Sequence, residues 1–231
     1  MPSFELIESD KDWLRKKYPG LTLTSEMGIS IVVGEFSFNA VYNDHRIADS
    51  YEVRIELKSS ALSELPRVRE TRSRIKQVAK ARSIDLADLH TYADGTTCLC
   101  VKPAEAQYFP DKFCFQKFVE ELVVPFFYAQ SYFEENGTWP WETYSHGSLG
   151  WLEWYFDQGA ASPTVIKNFI NHLKSQSDWK RMCRTLTRKG GPKSHRACLC
   201  GSSKSYWNCH QKAFRGLRKL IIEAKTFRIK I

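Results

Sequence analysis

The sequence predicts an α+β chain, an antiparallel β-meander flanked by helices with a small module at its C-terminal end. Three observations carry this. Phe4, Ile7, Leu14 and Tyr18 recur near helical spacing and stop at Pro19-Gly20. Ile29 to Phe38 and the alternating Tyr51, Val53, Ile55 and Leu57 read as strands on either side of the turn-like Asn43-Asp44. Phe115, Phe118, Leu122, Val123, Phe126 and Phe127 return at helical intervals between Asp111 and Asn136. A chain of 231 residues accommodates one full-sized core and a smaller module, and no period marks it as a repeat protein.

The first helix is placed over Ser3 to Tyr18, followed by the meander. Between Leu65-Pro66 and Asp88 the chain is basic and reads as irregular, and Asp94-Gly95 marks a turn before the short apolar stretch Cys98 to Val101. Pro125 lacks an N–H and should kink or split the long helix, which Gly137-Thr-Trp-Pro140 then ends. Two further helices follow, Gly150 to Phe156 and one opened by Ser162-Pro163, an N-cap and a first-turn proline. Lys189 to Lys193 reads as a linker, and a last helix runs from Gln211 to Ala224.

The start of the chain carries Glu5, Glu8, Asp10 and Asp12 where a signal peptide needs a basic start and an apolar run. No stretch approaches the ~18 apolar residues of a membrane span. The expectation is a soluble, cytoplasmic protein with no membrane partner. Seven cysteines, four of them spaced as Cys98, Cys100 and Cys198, Cys200, fit free thiols better than a disulfide framework. Charge is divided unevenly. Residues 180–231 hold 15 Lys and Arg against Glu223 alone, a balance of +14, so the net +8 leaves −6 for residues 1–179. Such a segment suits an anionic partner, nucleic acid or an acidic protein, or is a solvated basic surface.

Cys198-Leu-Cys200-Gly-Ser202, followed by Tyr206, Cys209 and His210, places three thiols and an imidazole within thirteen residues. Zinc takes four such ligands in a tetrahedron, and a closed Cys and His set indicates a structural Zn2+ ion. Gly201 permits the tight turn that aims neighbouring thiolates at one ion, and His195 is a rival fourth ligand. The spacing resembles the SEC-C motif, a small zinc module in which Cys-x-Cys-Gly-Ser precedes Cys and then Cys or His. Ser203 stands where that motif usually has glycine.

Cys98 leaves the Asp94-Gly-Thr-Thr97 turn for an extended segment. A thiolate exposed there would be the best nucleophile in the chain, while a buried structural cysteine is the alternative and the reading given to Cys100 and Cys114. Acyl carriage calls for partial exposure and a pKa near or below the ~8.5 of a free thiol. No glycine-rich phosphate loop is present, so any activated acyl group has to come from another protein.

The order of N-terminal helix, meander, His-x-x-x-x-Gly-x-x-Cys-Leu loop and long helix resembles the ubiquitin-conjugating (UBC) E2 fold, whose active-site cysteine follows a His-Pro-Asn turn. His90 matches the histidine and Cys98-Leu99 the cysteine and its leucine, while Thr91 and Tyr92 stand in place of proline and asparagine. That departure bears on transfer to lysine rather than on thioester formation. Residues 48–158 resemble the bacterial E2-like proteins of CBASS antiphage operons. The features are Tyr51 to Leu57, Leu65-Pro-Arg-Val68, Leu89-His-Thr-Tyr-Ala-Asp-Gly95, Cys98-Leu99, and Gly137-Thr-Trp-Pro140 leading to His146-Gly147. The resemblance implies that Cys98 forms a thioester with the C-terminus of a cGAS-like nucleotidyltransferase, supported by His90, Asp94 and His146, with His90 a loop-holding residue or a base. The other reading is an adaptor without chemistry whose basic module binds nucleic acid or an acidic protein. The expected division is residues 1–160 as the E2-like domain, 161–190 as a helical connector and linker, and 191–231 as the zinc module.

Overall fold

The computed structural model describes residues 4–58, 64–109, 113–187 and 192–231. The chain forms two compact units, Met1–Glu142 and Thr143–Ile231. In the first, helix α1 (Glu8–Lys17) leads into a four-stranded antiparallel sheet, β1 (Leu21–Glu26), β2 (Ile29–Tyr42), β3 (His45–Glu56) and β4 (Arg67–Glu70), paired in that order. Asn43 and Asp44 close the β2–β3 hairpin with φ of +49° and +62°. Asn and Asp tolerate that region, and the resulting two-residue loop matches the strand twist. The mixed α+β class and the meander flanked by helices follow the sequence reading.

The long helix divides where Pro125 predicts. A helical turn, Phe115–Phe118, passes into a π-turn, Val119–Val123, and only then into α3 (Val124–Asn136), with Pro125 in its first turn. The widened turn absorbs the missing N–H. Phe127 of α3 packs on Phe36 and Tyr51 of the sheet, with ring centroids at 5.7 and 4.6 Å. Gly137, at φ +73°, ends α3.

The segment after Leu65-Pro66 is more regular than expected. It holds β4 and helix α2 (Arg74–Arg82), which buries only Ile75 and Ala79. Polar contacts hold α2 instead: Arg74 donates to both carboxylate oxygens of Asp49 (3.0 and 2.7 Å) and to Glu134 (2.8 Å). Strand β1 is a further element beyond the expected pair.

In the second unit, α4 (Gly147–Asp157) buries every residue from Ser148 to Tyr155. A helix buried on all sides is a core helix. It is joined by α5 (Pro163–Lys174), whose N-cap Ser162 accepts from Val165 as expected, by α6 (Trp179–Leu186), and by α7 (Gln211–Thr226). Helix α7 lies against α4 so closely that a Cβ on Gly216 would sit 1.9 Å from the Leu152 carbonyl oxygen. Lys219 donates to the carbonyls of Tyr155, Gln158 and Gly159, satisfying the end of α4, and Lys212 pairs with Asp157 at 2.8 Å. The packing therefore divides the chain once, after Glu142, rather than at 160 and 190, because α4 shares its core with the C-terminal helix. Most of the 189–193 linker lies outside the described residues. Among these, no helix is long and apolar enough to cross a membrane.

Candidate functional site

Two cysteine sites stand out, one in each unit. In the first unit a loop folds back along the free edge of β4. Thr97 N–H donates to the Val68 carbonyl at 2.9 Å, and Arg69 bridges to Thr96. The loop is a small hairpin. Cys98 N–H donates to the His90 carbonyl at 2.7 Å, Thr91 bridges to Thr97, and Gly95, at φ +82°, donates to the Tyr92 carbonyl at 2.9 Å. Asp94 accepts from Thr96 N–H at 2.9 Å and pairs with Arg69 at 3.5 Å. Burial works against the Asp94 charge, but Thr96 and the arginines outweigh it and hold its carboxyl below the usual carboxylate range.

This hairpin delivers the Cys98 thiol into a small pocket lined by Leu65, Arg67, Tyr92, Thr97, Cys100 and Glu105 among others. The enclosed volume, about 20 Å³, is room for roughly one water and far below that of a small-molecule site. Cys98 is half-buried. Its thiol donates to the Cys100 carbonyl at 3.6 Å and is hydrogen-bonded by the Tyr92 side chain. Thr97 contributes a buried hydroxyl with no hydrogen-bond partner among the described residues. Glu105, also buried, accepts from Glu64 N–H at 2.7 Å.

Partial exposure of Cys98 agrees with the sequence reading, but its electrostatics do not. Burial pushes the thiol above the ordinary range of a free thiol, Tyr92 offsets this in part, and the Glu105 charge adds to the rise. Burial and Glu105 raise Cys100 further. The same surroundings raise Tyr92, so its phenol stays protonated and able to donate. Cys114, read as a buried structural thiol, is exposed.

The supporting residues separate. His90 sits at φ +50°, holds Cys98 through its backbone carbonyl, and lays its ring near Trp139 at 5.2 Å. Asp94 stabilises the turn. His146 belongs to the second unit, where it is the exposed N-cap residue of α4. Tyr92 and Thr97 are the pocket donors that sequence reasoning missed, although both lie within six residues of Cys98. Glu105 gave no sequence signal, since the short helix Glu105–Tyr108 brings it back from beyond Pro103.

In the second unit, Cys198, Cys200, Cys209 and His210 place their ligand atoms within 4.8 Å of one another. A bridge between Ala197 and Ser205 and a bond from Cys198 N–H to the Lys204 carbonyl (2.9 Å) close a tight loop, with Gly201 at φ +88° inside it. Ser205 caps the helical turn Tyr206–Cys209, which sets Cys209 and His210 at the entrance to α7. Cys198 Sγ lies 3.2 Å and Cys209 Sγ 3.1 Å from His210 Nδ1, and Cys200 Sγ lies 3.5 Å from Cys209 Sγ. Tetrahedral zinc geometry separates ligand sulfurs by about 3.8 Å and sulfur from nitrogen by about 3.6 Å; these three edges lie within about half an ångström of that, and the remaining edges extend to no more than 4.8 Å. The chemistry of the donor set fits as well, since four soft or borderline ligands leave no open position.

The Ser202 hydroxyl and amide draw the Cys200 pKa down to about 6, whereas burial lifts Cys198 to about 12. Arg181 of α6 donates to the Leu199 carbonyl and so braces the loop from outside. His195 is exposed and lies outside the cluster. Compared with protein-family models, with curated proteins and with solved structures, the chain matches none.

Proposed function

We propose that this protein is an E2-like acyl carrier in which Cys98 takes up the C-terminal acyl group of a partner protein, and that the Cys198, Cys200, Cys209 and His210 cluster holds a structural Zn2+ ion. The observation that carries the first part is the placement of the Cys98 thiol beside the Tyr92 phenol and the unpartnered Thr97 hydroxyl. Attack by sulfur on a carbonyl places negative charge on its oxygen, and donors already in position lower that barrier. Tyr92 stands where the E2 resemblance would put asparagine, and a protonated phenol supplies a donor of the same kind.

The step exchanges one activated acyl bond for another. Cys98 Sγ bonds to the carbonyl carbon of a thioester or mixed anhydride made by another protein, and the leaving group departs with the thiol's proton. By resemblance, the acyl group is the C-terminus of a cGAS-like nucleotidyltransferase. His90 and Asp94 act by positioning, one through its carbonyl and the other through the turn. Zinc would contribute folding free energy to residues 192–210, on the order of 10 kcal/mol for modules of this kind.

The test is intact mass of the protein incubated with the nucleotidyltransferase and its activating protein. A covalent adduct is expected that survives denaturation, is released by thiol or hydroxylamine, and is absent from Cys98→Ala. An adduct of undiminished yield in Cys98→Ala would make Cys98 structural and the domain a scaffold. Tyr92→Phe should slow adduct formation while leaving the fold intact.

A further inference from the structure

The structure separates the positive charge of the C-terminal segment into cations that hold the unit together and cations that face outward. Lys212 and Lys219 are engaged with α4, and Arg181 is bonded to the Leu199 carbonyl. The segment's one acid, Glu223, accepts from the Tyr155 hydroxyl. What remains on the surface is largely cationic and includes an exposed aromatic. Trp207 is 53% exposed, although it sits between the buried Tyr206 and the metal cluster. The Arg215 guanidinium lies 5.8 Å from its ring.

Arg215, Arg218, Ile222 and Lys225 are all exposed and follow one another at helical spacing, marking the outer face of α7. From Arg215 to Lys225 the stripe is about 15 Å long. None of these cations has a carboxylate partner among the described residues.

We propose that Trp207 and the outer face of α7 form a binding surface for single-stranded nucleic acid, with Trp207 stacking on an unpaired base and Arg215, Arg218 and Lys225 contacting phosphates along the strand. Two observations favour this partner over an acidic protein or a duplex. An exposed indole paired with an arginine is a stacking platform, which carboxylates do not need and paired bases cannot reach. Cations on one helix face, Arg215 and Arg218 one turn apart and Lys225 two turns further on, suit a polyanion. The proposal is independent of Cys98 chemistry, which lies in the other unit.

The test is fluorescence anisotropy of the metal-replete full chain with labelled twelve-nucleotide oligo-dT and oligo-U, at several salt concentrations. Wild type should bind, with affinity falling steeply as salt rises. Trp207→Ala should weaken binding by tenfold or more, while Trp207→Phe retains most of it. Arg215→Ala with Arg218→Ala should lower the log-log salt slope by about 1.4, two phosphate contacts at about 0.7 each. Circular dichroism of each variant should match wild type, since these side chains face outward. The proposal is overturned if a folded Trp207→Ala binds as tightly as wild type, if the double variant keeps the full slope, or if polyglutamate of equal charge competes as well as the oligonucleotides.

Discussion

The tripeptide Cys-Leu-Cys occurs twice, at residues 98–100 and 198–200, and the two copies are chemically opposed. At 98–100 the thiols face a buried carboxylate and hydroxyl groups, and burial raises both pKa values. At 198–200 they meet a third thiol, an imidazole and the Ser202 donors within 4.8 Å or less, and Cys200 is drawn down to about 6. The first loop is held by backbone hydrogen bonds to β4 and His90, so its fold does not depend on its thiols. The second has backbone hydrogen bonds of its own, among them Cys198 N–H to the Lys204 carbonyl and Tyr206 N–H to the Arg196 carbonyl, but its thiol and imidazole side chains also converge on one point. The difference teaches that the same tripeptide titrates in opposite directions according to what the fold and the following residues bring to its sulfurs.

The largest expected effect separates these two kinds of support. If the cluster holds the proposed ion, chelation or Cys209→Ser should remove a contribution on the order of 10 kcal/mol to such a loop. Hydrogen exchange should then show lost protection at the amides of Cys198 and Tyr206. Helix α7 should keep its protection, because Phe214, Leu217 and Leu220 are buried in the helical core of the unit. The amides of Thr97 and Cys98 should not change. Lost protection in the 91–98 loop would break the comparison.

A smaller effect sharpens it from the other side. Asp94→Ala removes the carboxylate that accepts from Thr96 N–H and should cost the first unit about 1 kcal/mol in denaturant unfolding. Because the folded pKa of Asp94 is depressed, its contribution is present above the ordinary carboxylate range and is lost as pH falls through the folded value. The variant and wild type should therefore converge in acid. A difference that persisted there would assign the cost to something other than the charge.

How much of this was legible in the sequence depends on how local each feature is. The juxtaposition of Cys198, Cys200, Cys209 and His210, which could hold a metal ion, was legible, since all four fall within thirteen residues. The β2–β3 hairpin, the break at Pro125 and the Ser162 cap were legible for the same reason. Strand β4 and helix α2 were not, because four residues of edge strand and a helix with two buried positions leave almost no hydrophobic period. Their stability comes from pairing with β3 and from the Arg74 contacts to Asp49 and Glu134, which are set by the fold. The boundary between the two compact units, after Glu142, was not legible either. Nothing near residue 150 announces that α4 shares a core with a helix some sixty residues later. At the thiol pocket, the sequence located Cys98 but misjudged its titration, because the burial and the Glu105 charge that raise it arise only on folding.

The measurement that bears most directly on the opposed roles of the two tripeptides is mild alkylation of the native, metal-replete protein, mapped by peptide mass between pH 7 and 9. Cys198, Cys200 and Cys209 should be protected until chelator is added. Exposed Cys114 should react readily. Cys98 should react more slowly than Cys114 but faster than Cys100, with a rate rising about tenfold per pH unit and no plateau by pH 9, as a raised thiol pKa requires. Chelator should leave the Cys98 rate unchanged. The account is contradicted if the three C-terminal cysteines react as fast as Cys114 without chelator, or if Cys98 stays unmodified at pH 9.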